Sequence, residues 1–174
     1  MQIESLELRN YRIFRDARFE NLPRLAVVVG ANGSGKSTLF DVFSFLKDAL
    51  TQNVAQAIAR RGSFQELVSR GPEGPIGITV KFRESSGRLA TYQLEIALDE
   101  GRPVVHREVL KFTRGQGGKP WHFVDFSRGR GAAITNESIY GKTGAKAVRK
   151  EYVLDDPSVL AIKGLGQFKE FRVV

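Results

Sequence analysis

The residues best suited to chemistry lie between positions 30 and 38, where the sequence reads GANGSGKST. This spacing fits G-x-x-x-x-G-K-[ST], a glycine-rich loop whose backbone N–H groups surround phosphate oxygens. Lys36 would place a positive charge at the β- and γ-phosphates, and the Ser37 hydroxyl would bind Mg²⁺, which prefers oxygen ligands. The predicted phosphate-binding residues are Asn32, Gly33, Ser34, Gly35, Lys36, Ser37 and Thr38.

The segments on either side of this loop support the same interpretation. Residues 25–29 are all apolar and mostly β-branched, which predicts a short buried strand of a parallel sheet. From Lys36 to about Arg60, apolar residues recur at helical spacing, so a helix is expected to begin at the loop. A helix N-terminus attracts anions. Strand, loop and helix together favour phosphate binding over a glycine-rich turn that binds nothing.

The second half of the chain has a different pattern. Apolar and polar residues alternate there and glycine-rich turns intervene, which indicates an antiparallel sheet with one face in solvent. Strands are predicted at 76–82, 92–98, 104–113 and 121–126, in addition to 2–9 and 17–20 near the N-terminus. The glycine- and lysine-rich stretch 127–150 predicts a mobile excursion, and 159–171 a last short helix.

These patterns predict an α/β protein in which a phosphate-binding α/β unit joins an antiparallel β region through a mixed sheet. We expect a single partial lobe over residues 1–174. Its parts are the α/β unit (1–70), the β region (71–126) and a basic excursion with the C-terminal segment (127–174).

Composition excludes several classes of protein. The chain has 174 residues and no cysteine, so neither a disulfide framework nor a thiolate metal site can form. Its two histidines make a structural zinc site a poor interpretation. Neither a signal peptide nor an apolar run of membrane-spanning length is present, and a cytoplasmic location without membrane association is expected.

The net charge of +8 favours a polyanionic partner such as DNA or RNA. Basic residues are concentrated at Arg60–Arg61, Arg128–Arg130 and 142–150. A solvated basic surface, or one basic part of a larger protein, would explain the same charge, because basicity alone carries no sequence information.

With these motifs identified, the chain resembles the ABC-type ATPase heads of the SMC, RecF and OLD group, and more narrowly the N-terminal part of RecF-like ATPases of the AAA type. The resemblance is carried by three stretches: the opening strand and turn from Ile3 to Phe14, the loop region from Val29 to Asp41, and residues Arg60 to Phe64. It extends to about residue 100.

This resemblance implies a lobe that binds ATP together with Mg²⁺. It also implies that two such heads close over the nucleotide as a homodimer. It places Arg12, in the opening turn, near the nucleotide; a surface arginine beside a β-turn is the alternative. The glutamine that helps to hold Mg²⁺ and water in this group has no secure match, and Gln65, Gln93 and Gln167 remain open.

Hydrolysis of ATP to ADP and phosphate also needs an apolar strand ending in Asp-Glu and a signature loop that caps the γ-phosphate. Residues 94–100 imitate the first, but Glu95 interrupts the apolar run, and the alternation predicts a hairpin. Residues 153–156 have too short an apolar run, and 164–167 match the signature poorly. We identify no convincing catalytic residue and expect an incomplete head that hydrolyses almost no ATP.

The leading hypothesis is therefore the ATP-binding lobe of an ATPase that acts on or with DNA, in repair, chromosome handling or phage defence. The alternative is a module in which nucleotide only supports assembly with a partner such as a nuclease subunit. A small phosphate-loop kinase is a third class, but the second half supplies no obvious substrate lid or acidic metal ligand.

Overall fold

A computed structural model describes residues 1–71, 74–85, 87–113, 121–135 and 148–166. In chain order, its elements are β1 (Gln2–Tyr11), β2 (Phe14–Phe19), α1 (Lys36–Thr51), α2 (Val54–Ala59), α3 (Phe64–Leu67), β3 (Ile76–Arg83), β4 (Leu89–Asp99), β5 (Arg102–Phe112), β6 (Trp121–Ser127), β7 (Arg130–Ile134), β8 (Arg149–Val153) and α4 (Ala161–Leu165). No helix of the described ranges combines the length and apolar character needed to cross a membrane.

The eight described strands form one sheet in the order β2-β1-β3-β4-β5-β6-β7-β8. Each neighbouring pair is antiparallel, so the expected mixed sheet is corrected to an antiparallel one within the described residues. The strands expected from period-2 patterning form at 76–83, 89–99, 102–112 and 121–127. Most of these pairs are hairpins, because short turns connect antiparallel strands directly.

The core lies between one face of the sheet and the first two helices. Helix α1 turns Val42, Phe45 and Ala49 inward, three positions that share one helical face. The sheet contributes side chains from alternate positions, including Leu6 and Leu8 of β1, which are almost completely buried. Removal of this apolar surface from water is what holds the helices on the sheet.

The buried parallel strand expected at 25–29 is wrong for this structure. These residues form no ladder, and Leu25, Val27 and Val29 are 84%, 83% and 85% exposed. A parallel strand needs a neighbour on which to form hydrogen bonds. Residues 25–29 pair with no strand of the described sheet, so the sheet does not supply that neighbour.

Two other expectations change in detail. The helix expected from Lys36 to about Arg60 is two helices, because it is interrupted at Gln52–Asn53, where the Asn53 side chain accepts a hydrogen bond from the Gln56 N–H at 2.8 Å. Such a cap starts α2 afresh. The excursion expected at 127–150 contains β7 and the start of β8, while 136–147 lies outside the described residues.

Candidate functional site

The predicted phosphate loop connects the exposed 25–29 segment to the N-terminus of α1. Gly33 and Gly35 have φ values of +82° and +95°, in the left-handed region that side chains disfavour. Gly35 is the N-cap of α1 and provides no side-chain cap, so the first turn of the helix begins at the loop without a competing hydroxyl or carboxylate. This geometry leaves the helix N-terminus available to an anion.

Lys36 folds back over this loop. Its Nζ donates hydrogen bonds to the carbonyl oxygens of Gly30 at 2.6 Å and Ala31 at 2.7 Å. Ser37, the next residue, is exposed, and Thr38 is half-buried in the first turn of α1. Asn32, Gly33 and Ser34 are exposed in the preceding turn. The residues predicted from the motif therefore lie together on one continuous loop and helix start.

The opening turn between β1 and β2 packs directly on this loop. A Cβ atom at Gly35 would lie 2.5 Å from Ile13 Cδ1 and 3.0 Å from Phe14 Cζ, closer than packed atoms approach. The φ angle therefore favours glycine at position 35, and a side chain there would also require Ile13 and Phe14 to shift. Arg12, which the resemblance places near the nucleotide, directly precedes Ile13 in that turn.

Arg12 contacts helix α1 through Asp41. Its Nε lies 3.1 Å from Asp41 Oδ2, and its backbone N–H donates to the Leu67 carbonyl. Asp41 also accepts hydrogen bonds from the Tyr11 hydroxyl at 2.8 Å and from Arg61 Nε at 2.8 Å. One carboxylate of α1 thus accepts two hydrogen bonds and makes one charge contact, with residues from two other parts of the chain.

Asp48, seven residues further along α1, holds the other side of this cluster. It accepts from Arg61 Nη1 at 2.7 Å and Arg60 Nη1 at 3.0 Å. The hydrogen bond from Arg61 lowers the pKa of Asp48. Burial alone would lower the pKa of Arg61, but its bonds to Asp48 and Asp41 raise it. Burial, reinforced by the bond to Asp41, raises the pKa of Tyr11. Arg61 therefore stays protonated and Tyr11 stays neutral.

Sequence reasoning missed this ionic cluster of Tyr11, Arg12, Asp41, Asp48, Arg60 and Arg61. A signal for it was present. Positions 41 and 48 are separated by seven residues, which places both carboxylates on one face of a helix. Two arginines follow directly after the next short helix. Because pairing depends on how α2 folds back along α1, the sequence alone did not identify the partners.

The remaining sequence candidates do not converge on the loop. Gln65 is exposed on α3, Gln93 lies within β4, and Gln167 lies outside the described residues. Residues 94–100, which resemble an apolar strand ending in Asp-Glu, are predicted to be part of a hairpin. This is confirmed, because Asp99 of β4 pairs with Arg102 of β5. Residues 153–156 begin at the last residue of β8, which is far along the strand order from β1.

A cavity of about 930 Å³ lies on the apolar side of α1, away from the cluster just described. Its lining includes Ala26 and Val28 of the exposed segment and Leu39, Phe40 and Phe43 of α1. Its polar lining includes Arg24, which contacts Gln2, and Arg83, which pairs with Glu4, but no residue of the predicted phosphate loop. The candidate site is the loop with its adjoining arginine, not this larger apolar space.

Comparison with known proteins gives the class to which this fold and loop belong. The model of the AAA ATPase domain family matches residues 1–155, so the chain belongs to that family. Its members are ATPase-type nucleotide-binding domains. This confirms the relationship to RecF/SMC/OLD-like ATPases expected from the opening turn and the loop.

A particular relative is the chromosome partition protein Smc of Rhodopirellula baltica, which is 32% identical over 92 residues. The matched stretch is 50% of this chain and 8% of that protein. The chain thus corresponds to a small part of the relative's length.

Proposed function

We propose that the loop at 30–38 binds the phosphates of ATP, in a P-loop fold. The observation that carries this proposal is the position of Lys36, whose ammonium group lies over the loop and contacts only neutral carbonyls of Gly30 and Ala31. It has no carboxylate partner within the described ranges. Charge-assisted bonds to phosphate oxygens are stronger than bonds to neutral carbonyls, so an anion would displace these contacts.

The other loop residues have roles that follow from their positions. Backbone N–H groups from Asn32 to Gly35 would surround the β-phosphate, and Thr38 would contact the α-phosphate. Ser37 fits Mg²⁺, because its hydroxyl is exposed beside Lys36, and Mg²⁺ commonly combines few protein oxygens with phosphate oxygens and water. The bound ion would neutralise charge that develops on the phosphates.

We propose further that this chain is one lobe of an ATPase head and supplies the phosphate-holding half of its site. The lobe would comprise the three parts expected from the sequence, over 1–70, 71–126 and 127–174. Within the described residues no Asp-Glu pair ends an apolar strand at the loop, so no group there is positioned to activate water. Hydrolysis would require residues supplied by other parts of the full protein and by a second head in a homodimer.

Nucleotide binding is tested by titrating the 174-residue chain with a fluorescent ATP analogue and Mg²⁺. We expect Lys36→Ala to weaken binding by roughly tenfold or more, the size of a lost charge-assisted contact. Lys47→Ala is the matched control, because Lys47 is an exposed lysine of the same helix. Its affinity should equal that of the unmodified chain. Equal binding by all three proteins would contradict phosphate binding at this loop.

Turnover distinguishes the half-site from a complete enzyme. The isolated chain should release almost no phosphate from ATP under conditions in which it binds the nucleotide. Rapid phosphate release that Lys36→Ala abolishes would contradict the half-site proposal, because it would place the water-activating group within this chain.

We also propose that the full protein acts on or with DNA. The net charge of +8 supports this, as does the similarity to a protein named for chromosome partition. The alternative function is that of a binding module, in which bound nucleotide only supports assembly with a partner such as a nuclease subunit. Normal assembly by a Lys36→Ala protein would favour the module, and loss of assembly would favour a nucleotide-driven switch.

A further inference from the structure

The ionic cluster of Tyr11, Arg12, Asp41, Asp48, Arg60 and Arg61 lies outside the predicted phosphate loop. Its two aspartates are on later turns of α1. Asp41 is five residues after Lys36, about 7.5 Å along the helix axis. Each Asp41 oxygen is already engaged, Oδ1 by Arg61 and Oδ2 by Tyr11. Because these two donors fix the carboxylate, Asp41 presents a defined negative charge to Arg12.

The backbone of the opening turn is fixed independently of Asp41. Asn10 donates to the Gly74 carbonyl at 2.7 Å and accepts from the Ser69 N–H at 3.0 Å, while Ser69 Oγ donates to the Phe14 carbonyl at 3.0 Å. Arg12 itself has a φ of +51°, a left-handed conformation that costs energy in a residue with a side chain. These hydrogen bonds hold the turn on residues 69 and 74, whichever way the arginine side chain points.

The contact between Arg12 and Asp41 leaves most of the guanidinium free. Only Nε faces the carboxylate, as a charge contact without a directed hydrogen bond. The two terminal nitrogens have no hydrogen-bond partner in the part of the chain that the structure describes, and the side chain is 35% exposed. An arginine held near Nε keeps its two-pronged end for a planar or anionic partner.

We propose that Asp41 is a positioning residue for nucleotide binding: it holds Arg12 beside the loop with its terminal nitrogens directed to a phosphate. This assignment rests on the proposed binding of ATP at residues 30–38. It adds a contribution from a helical carboxylate that has no direct contact with the anion. A negative charge near a phosphate site is otherwise unfavourable, so its pairing with two arginines is what makes the position tolerable.

Asp48 supplies a matched control on the same helix face. Asp41 and Asp48 both pair with Arg61, and both are partly exposed to a similar extent. Only Asp41 contacts Arg12. Asp41→Asn and Asp48→Asn therefore both remove an ion pair of Arg61, but only the former releases Arg12.

The test is the ATP affinity of the 174-residue chain and of Asp41→Asn, Arg12→Ala, the double variant and Asp48→Asn. We expect Asp41→Asn to weaken binding by about fivefold, and Arg12→Ala by at least as much. The double variant should bind like Arg12→Ala alone, because Asp41 acts through Arg12. Asp48→Asn should stay within about twofold of the original chain. Asp41→Glu, which keeps the charge, should retain most of the affinity.

Thermal unfolding of each variant separates positioning from general stability. If Asp41→Asn lowers the melting temperature but not the affinity, or if its loss adds fully to that of Arg12→Ala, the assignment is overturned. Should Asp41→Asn not fold, Asp41→Ser with and without Arg12→Ala gives the same comparison, because it also removes the carboxylate. If the original chain and Lys36→Ala bind ATP equally, or if neither binds it, the proposed function itself is overturned. Binding that depends on Lys36 and not on Asp41 overturns only this assignment.

Discussion

At the scale of single residues, a buried glutamate organises the C-terminal end of the described chain. Glu108 of β5 is fully buried, and its carboxylate accepts hydrogen bonds from the Tyr92 hydroxyl at 3.0 Å, the Ile162 N–H at 3.1 Å and the Ala161 N–H. The last two belong to the first turn of α4. One side chain therefore attaches a short helix to the sheet, at the expense of removing a carboxylate from water.

Burial raises the pKa of Glu108, although its backbone and tyrosine donors oppose that shift. With a folded-state pKa above the unfolded value, the folded protein binds more protons between the two pKa values, and the free energy of unfolding falls as pH rises through that interval. We expect Glu108→Gln to remove this dependence above about pH 4.5. Urea unfolding measured at several pH values checks the slope.

The control for this experiment is Glu95→Gln, a change of a partly exposed glutamate on β4 that pairs with Arg9 on the solvent side. Because this variant keeps Glu108, it should retain the decrease in the free energy of unfolding that Glu108→Gln removes. A Glu108→Gln protein whose slope equals that of the original chain would contradict the expected role of the buried carboxylate.

At the scale of elements, the 25–29 segment shows how local pattern and tertiary surroundings differ. Its five apolar residues match a buried strand, yet the described structure leaves Val27 and Val29 largely exposed. The sheet extends instead from β1 to β3, whose antiparallel hydrogen bonds join residues more than 60 positions apart. Apolar character favours burial, but a strand also requires a neighbouring backbone.

The exposure of Val27 predicts that a charged side chain is tolerated at this position, whereas the buried strand expected from the sequence predicts that it is not. Val27→Asp should change the free energy of unfolding of this chain by no more than about 0.5 kcal/mol, as expected for an exposed position. A strand buried in a core would instead lose several kcal/mol from an unpaired charge. Ile78→Asp, at a buried site of β3, is the comparison and should be severely destabilising. Urea unfolding of both variants distinguishes the two descriptions.

At the scale of the whole molecule, the described part of the sheet's solvent-exposed face does not concentrate the excess positive charge. Arg9 there pairs with Glu95, and Arg107 pairs with Asp125, so charges of both signs alternate across neighbouring strands. Such exposed pairs contribute little to stability and are weakened by salt. A polyanion at this face would therefore meet a weakly positive electrostatic potential that is interrupted by acidic side chains.

This distribution predicts weak DNA binding without sequence preference. Fluorescence anisotropy with two short duplexes of unrelated sequence should give equal affinities at 50 mM salt, and each should decrease at least about tenfold by 200 mM salt, as counterion release requires. No binding at the lower salt concentration would remove the support that net charge gives to a DNA-associated role.

Much of the fold was predictable because period-2 patterns specify antiparallel strands locally. The hairpin from β4 to β5 illustrates this: alternation identified residues 94–100 as a strand and turn rather than a catalytic Asp-Glu segment. Strand β7 was not predicted, because its small residues carry little periodic signal. The pairing of Asp41 with Arg61 was not predictable either, since it depends on contacts between residues 20 positions apart.

The sequence by itself determined the phosphate-loop motif, the family resemblance and most strands, because each depends on residue types at short, fixed spacing. Only the tertiary structure decided that Ile13 and Phe14 pack on Gly35, that Asp41 contacts Arg12, and that residues 25–29 have no partner strand among the described ones. The reason is physical. Backbone preferences act between neighbours in sequence, whereas ion pairing and strand pairing depend on which distant segments the packed core brings within a few ångströms of each other.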